Sequence, residues 1–328
     1  MDLGVALPQF DYTSSTEDPP PWRTTLEYAQ RAERAGFRSV WLADHLFLSM
    51  DFKYGGPPGR HRAVDPLVGL AALARSTTNV RVGTLVLCAQ LRPPAVAAKA
   101  LGTLDRLSGG RLTIGLGAGW FEPEYDEAGI RFERPAVRLA QLAEVADVIT
   151  SVLEGGPVDF HGAHYHCTGA RCRPAPSQQP RPPVWIGGRG DGLLEIVAGH
   201  ADGWNTVWAW TPDDYRQRLS VLARACERIG RDPATVTLSL GLTALVGESE
   251  ADVARRFERL LRAAPRGVLP RTLAEFRDGR LVGTVEQVRE QLEGWRDLGV
   301  ATLAVNLGAL PFGVSDPDDL ELVASALP

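Results

Sequence analysis

Arg111-Leu-Thr-Ile-Gly115-Leu-Gly117-Ala-Gly119-Trp120 reads as a short apolar strand that ends in a glycine-bearing loop. The same order of strand, glycine loop and amphipathic helix recurs on both sides of it. Upstream, Leu3–Leu7, Phe37–Leu42 and the β-branched run Val80–Leu87 carry the strand signal; downstream it returns at Val184–Ile186, Gly203–Thr206, Thr235–Val246 and Ala301–Asn306. With Arg111–Leu116 these make about eight strand–helix pairs, all compatible with parallel pairing. They predict a closed α/β structure, a (β/α)8 TIM barrel. An open, Rossmann-like sheet is the rival, and it loses because no dinucleotide fingerprint follows the first strand.

The helices between the strands leave their own marks. Thr24 with Glu27 makes a capping box for a helix ending near Gly36. Leu142, Val145, Ile149 and Val152 hold one apolar stripe, and Thr284 with Gln287 caps a helix that carries Val285, Val288, Leu292, Trp295 and Leu298 on one face. Three stretches break the rhythm: Tyr12–Trp22, Asp51–Asp65 and Gly155–Pro183. The last alternates like a hairpin before a proline-rich linker. The chain reads as one domain over 1–328, with a hairpin and linker insertion near 155–183 and a loop insertion near 266–282.

At 328 residues and 44% hydrophobic content the chain can bury a large core. A net charge of -5, with Lys and Arg scattered, argues against a nucleic-acid or membrane-surface partner. No apolar run is long enough to span a bilayer, and Met1 leads directly into a strand. Four cysteines in this length do not make a disulfide framework, which suits a cytoplasmic protein.

In a barrel of this kind the loops after the strand ends build the active site. The second strand ends in Asp44-His45, an acid and an imidazole where a proton can be moved and a loop or ring held. Gly117, Ala118 and Gly119 present amides to a ligand, or admit a neighbouring backbone. Gly187-Gly188-Arg189-Gly190 leads into a helix over Asp191–Ala198, which is an anion site by geometry or an ordinary tight turn. Trp204, Trp208 and Trp210 either wall an apolar substrate pocket or pack the rim. His161, His164, His166, Cys167 and Cys172 lack a paired ligand spacing, so a metal site is not expected there.

Taken together, these segments resemble the luciferase-like superfamily, in its branch that uses the deazaflavin coenzyme F-420. The resemblance rests on Ala32-Glu-Arg-Ala-Gly36-Phe, Val40-Trp-Leu-Ala-Asp44-His45, Val80–Val86, Leu101–Arg111, Gly115–Trp120, Ile186-Gly-Gly188, Ala201–Asn205 and Gly283–Val288. It implies that Asp44 and His45 lie beside the reactive ring, with His45 as proton donor or charge stabiliser. It implies a bulge with a non-prolyl cis peptide at Leu85-Val86, with Leu85, Val86 and Cys88 against the cofactor. Gly117, Ala118, Gly119 and Trp120, and Gly187, Gly188, Arg189 and Gly190, then match the cofactor-binding loops. The implied reaction is hydride transfer between coenzyme F-420 and a small organic substrate, in a possible homodimer. FMN-dependent monooxygenation is the near alternative, and a metal-dependent barrel hydrolase built on Asp44, His45 and His161–His166 the distant one. The chain departs from the pattern after Gly119, where Trp120-Phe-Glu122-Pro leaves Glu122 as the nearest acid.

Overall fold

The computed structural model describes residues 1–10, 22–49, 60–316 and 318–327. Most of the Tyr12–Trp22 and Asp51–Asp65 stretches therefore lie outside the described residues. Eight strands form the ring: β1 (Asp2–Ala6), β2 (Ser39–Leu42), β3 (Arg81–Thr84), β4 (Leu112–Gly117), β5 (Val184–Gly187), β6 (Gly203–Trp208), β7 (Thr237–Gly247) and β8 (Val300–Asn306). Each pairs in parallel with the next, from β1–β2 round to β7–β8. Asp2 opposite Thr302 joins β8 back to β1, so the sheet has no edge and the barrel is closed.

Helices connect the strands on the outside, and one continuous apolar core fills the layer between them and the ring. Inside the ring, Trp41 and Trp185 stack with centroids 5.5 Å apart. Their bulk needs bare backbone opposite: a Cβ at Gly4 would stand 2.6 Å from Trp41 Nε1, and one at Gly203 2.5 Å from Trp185. Glycine at these strand positions is thus a packing requirement, and the two indoles close the barrel below its mouth.

Several expectations change on contact with the structure. The Thr24–Glu27 capping box does not exist, because the helix begins at Trp22 and Thr24 sits within its first turn. The Thr284–Gln287 box is present, with both reciprocal bonds made. The run Val80–Leu87 is not one strand: β3 stops at Thr84, the Leu85–Val86 peptide is cis, and Leu87–Cys88 resumes pairing with β4. The segment 266–282 carries structure of its own. A helix over Leu273–Arg277 leads to a strand, Leu281–Thr284, that pairs with the far half of β7. Phe257, Phe276, Leu245 and Val282 give it a separate small core. Val158–His161 and His166–Ala170 pair antiparallel as a hairpin.

Much of the sequence signature serves the scaffold at the amino end of the barrel. Glu33 accepts the N–H groups of Thr78, Asn79 and Val80, and Arg111 gathers the carbonyls of Ala74, Thr77 and Val80 at a helix C-terminus. Asp105, fully buried, holds the N–H groups of Ser177 and Gln178 and so pins the proline-rich linker. Among the described residues, no helix is long and apolar enough to cross a membrane.

Candidate active site

The carboxyl ends of the strands gather a second apolar cluster, separate from the main core. Phe10, Ala43, Phe47, Leu85, Phe121, Leu310 and Phe312 are buried in it, and Val86, Trp120, Val207 and Trp208 lie half-exposed against it. His45 stands among these rings, 5.5 Å from Trp120 and 6.3 Å from Phe10, and keeps 14% of its side chain exposed. A titratable imidazole with an apolar surround and one open side is suited to proton transfer away from bulk water.

The partner of His45 is Glu124, which sequence reasoning missed. Its carboxylate lies 3.1 and 3.2 Å from His45 Nδ1 and accepts the Leu46 N–H at 3.0 Å, and the residue is 1% exposed. Glu122, the acid picked out in the sequence, points to solvent instead. Both belong to the short helix Glu122–Glu127, and two residues of helical spacing turn one outward as the other turns in. A carboxylate can only accept, so Nδ1 carries the proton and Nε2 is left as the variable position. Among the described residues Nε2 has no hydrogen-bond partner.

Asp44 does not touch His45. Its carboxylate is gripped by Arg92, at 2.6 and 3.1 Å, and accepts the Cys88 N–H at 2.9 Å, while its own N–H donates to Val86 O. Arg92 also reaches Asp65, the N-cap of the helix Pro66–Ser76. Asp44 is therefore a positioning residue: it clamps both sides of the Leu85–Cys88 bulge to the end of β2. Asp44 is 2% exposed, so breaking its pair with Arg92 would leave an uncompensated buried charge.

The glycines of β4 and β5 serve the bulge. A Cβ at Gly117 would meet Val86 Cγ2 at 2.5 Å, and one at Gly187 would meet Val86 Cγ1 at 2.7 Å. At Gly115 it would run into the Thr84 carbonyl, and at Gly119, with φ +67°, into the Tyr125 hydroxyl. Of the two readings of this motif, close approach by the protein itself accounts for 115, 117 and 119. Val86 lies in a bed of bare backbone and forms part of the floor of the mouth.

Cys88 is buried, with Sγ 2.9 Å from the Tyr125 hydroxyl, which in turn donates to Gln90 Oε1 at 2.9 Å. Burial pushes the Cys88 thiol up to about 11 and raises the Tyr125 phenol well above its ordinary range. Neither is an acid or base at neutral pH. Ala118 and Trp120 line the approach, half-exposed. On the β5 side, Gly190 caps the helix Asp191–His200 with no side-chain bond, and a Cβ there would meet nothing within 4 Å. Gly188 adopts φ +143°, and Arg189 donates to Val207 O while lying 4.6 Å from the Trp210 ring.

The three tryptophans in and just after β6 separate. Trp204 and Trp210 pack with Tyr215 on the helix side of the sheet, and Trp208 alone joins the mouth, edge-on to Phe312. His161 and His166 face each other across the hairpin at 6.1 Å, remote from His45 in the fold's outer insertion. Among the described residues no group of three His, Cys, Asp or Glu is arranged to hold a metal ion.

This chain is 29% identical over 300 residues to the F-420-dependent hydroxymycolic acid dehydrogenase of Mycobacterium tuberculosis, covering 90% of this chain and 79% of that one. Its fold matches an F-420-dependent secondary alcohol dehydrogenase solved with an F-420–acetone adduct, at TM-score 0.78 and 19% identity, over 100% of this chain and 98% of the other. It also matches an EDTA monooxygenase from Chelativorans sp., at TM-score 0.80 and 16% identity, over 99% and 92% of the two chains. The profile of the luciferase-like monooxygenases matches residues 1–302. A closed parallel barrel, and a family match over residues 1–302, place this chain in the luciferase-like monooxygenase family.

Proposed function

We propose that the protein transfers a hydride between coenzyme F-420 and a small, neutral organic substrate, with His45 moving the accompanying proton. The observation that carries this reading is the mouth itself: Val86 raised on bare glycine backbone, with His45 held above an apolar floor by Glu124. A planar cofactor ring fits a floor with a branched aliphatic residue and no charge on it. A phosphate-bearing tail fits the uncapped amides at Gly190–Gly192 beside Arg189. The similarity to an F-420-dependent dehydrogenase over 90% of the chain supports the same cofactor.

When bound, the deazaflavin supplies or accepts the hydride. The chain does the rest. Glu124 fixes the His45 ring with Nδ1 protonated, so Nε2 takes a hydroxyl proton as the hydride leaves carbon, or returns it in the reverse direction. Asp44, through Arg92 and Cys88, keeps Val86 at its height. Trp120, Phe10 and Phe121 exclude water from the proton path. We assign the protein to the cytoplasm, and we take a homodimer as its working assembly, which light scattering tests.

FMN-dependent monooxygenation is the second reading, supported by the match to the monooxygenase fold. Incubation with F-420 and a panel of secondary alcohols and ketones, followed at the cofactor absorbance, tests the first reading. Substrate-dependent bleaching or recovery is expected. Product formed only with reduced FMN and oxygen would overturn it.

A further inference from the structure

Phe312 is the only non-glycine residue among those described with a positive φ, at +57°. A bulky residue adopts that conformation only when its surroundings dictate it, and such residues cluster where function needs a side chain aimed. The surroundings are visible. Asn306, at the end of β8 and 1% exposed, donates to Gly308 O at 2.8 Å and accepts the Gly313 N–H at 3.3 Å. Leu307 bridges to Val314, and a Cβ at Gly308 would stand 2.5 Å from the Gly313 carbonyl carbon. The loop is pinched shut at its base, and Phe312 at its tip is driven inward.

There its ring stands 6.2 Å from Phe10 and 5.4 Å from Trp208, edge-on to Trp208. Phe10 in turn faces His45 at 6.3 Å. Rings therefore run from the imidazole across the mouth to β6. Among the described residues, the charged groups at the mouth have other partners: Glu124 is held by His45 and Leu46, Arg92 by Asp44 and Asp65, and Arg189 by Val207 and the Trp210 ring. A wall of aromatic rings stabilises apolar surface, and a charge placed against rings is desolvated at a cost.

We infer that Phe312 is a specificity-determining residue, and that the part of the substrate lodged between His45 and Trp208 is an uncharged, apolar group whose size Phe312 limits. The inference rests on the proposed site but not on its cofactor. The test uses calorimetric titration of cyclohexanol, 4-tert-butylcyclohexanol and cyclohexanecarboxylate into the protein, with and without F-420. Cyclohexanol should bind at least about ten-fold tighter than the carboxylate. Phe312→Gly, which keeps the left-handed backbone without cost, should weaken cyclohexanol by on the order of ten-fold, favour the bulkier alcohol relative to it, and leave F-420 affinity unchanged. Equal or tighter binding of the carboxylate, no binding of either alcohol, or an unaltered alcohol profile in Phe312→Gly would overturn the inference. Loss of F-420 binding by the wild-type protein, with the alcohol profile intact, would instead remove the cofactor reading alone.

Discussion

If Val86 owes its place to missing side chains on β4 and β5, a single methyl group should displace it. In Gly117→Ala the new Cβ would stand 2.5 Å from Val86 Cγ2, about 0.9 Å inside the 3.4 Å at which ordinary contact begins. The other methyl of Val86 lies over the bare backbone of Gly187, where an added Cβ would stand 2.7 Å from it, so little room is left on that side. Nor can its backbone sink, since Asp44 holds the bulge on both sides. The remaining direction is upward into the mouth. Overpacking of this size costs about 1–3 kcal/mol of stability, and a raised floor should weaken cofactor binding by roughly ten- to hundred-fold. Removing the two methyl groups in Val86→Ala should restore space, so the double variant should recover stability and affinity relative to Gly117→Ala. Urea denaturation gives the stabilities and fluorescence titration the affinities. The coupling between the two positions should reach about 1–2 kcal/mol, with Val86→Ala rescuing rather than adding. Effects that add within about 0.5 kcal/mol would refute the glycine bed.

Four further outcomes are expected. In Glu124→Gln a charge-assisted bond to His45 becomes neutral, which should lower turnover by about ten- to thirty-fold at unchanged cofactor affinity. Nitrogen NMR of labelled histidine should find the neutral His45 ring protonated at Nδ1 in the wild type; protonation at Nε2 would contradict the assigned role. His200 hydrogen-bonds Asp147 at 2.6 Å, which raises its pKa above the ordinary 6.5. Its stabilisation is therefore full below 6.5 and lost as pH rises through the raised folded value, so urea midpoints should fall across that window in the wild type and not in Asp147→Asn. Burial puts the Cys88 thiol at about 11, so iodoacetamide at pH 8 should spare Cys88 in the native protein and modify it in urea. Half-exposed Cys167 should react first.

The barrel was legible because strands covered on both faces read as apolar runs, and eight of them punctuated by glycine leave few architectures. His45 was legible from its place at a strand end. Glu124 was not, since its contact with His45 spans 79 residues and depends on a two-turn helix whose phase over β2 no local pattern encodes. The glycines showed where something comes close without showing what; that it is Val86 and Tyr125 emerges only when β3, β4 and β5 are side by side. The tryptophans were misleading for a similar reason. Strand alternation puts Trp204 and Trp208 on one face, yet they pack on opposite sides of the sheet, with the Val207–Trp208 peptide cis between them. The pinched loop that drives Phe312 inward has no sequence signal beyond its two glycines.

In the proposed function, the mouth beside His45 holds a deazaflavin ring on the Val86 floor. Titrating the purified protein with F-420 and with FMN, in parallel with Val86→Trp, tests it directly. Saturable F-420 binding is expected, abolished by the bulky floor residue, with FMN bound more weakly. Failure of F-420 to bind, or F-420 binding untouched by Val86→Trp, would contradict it.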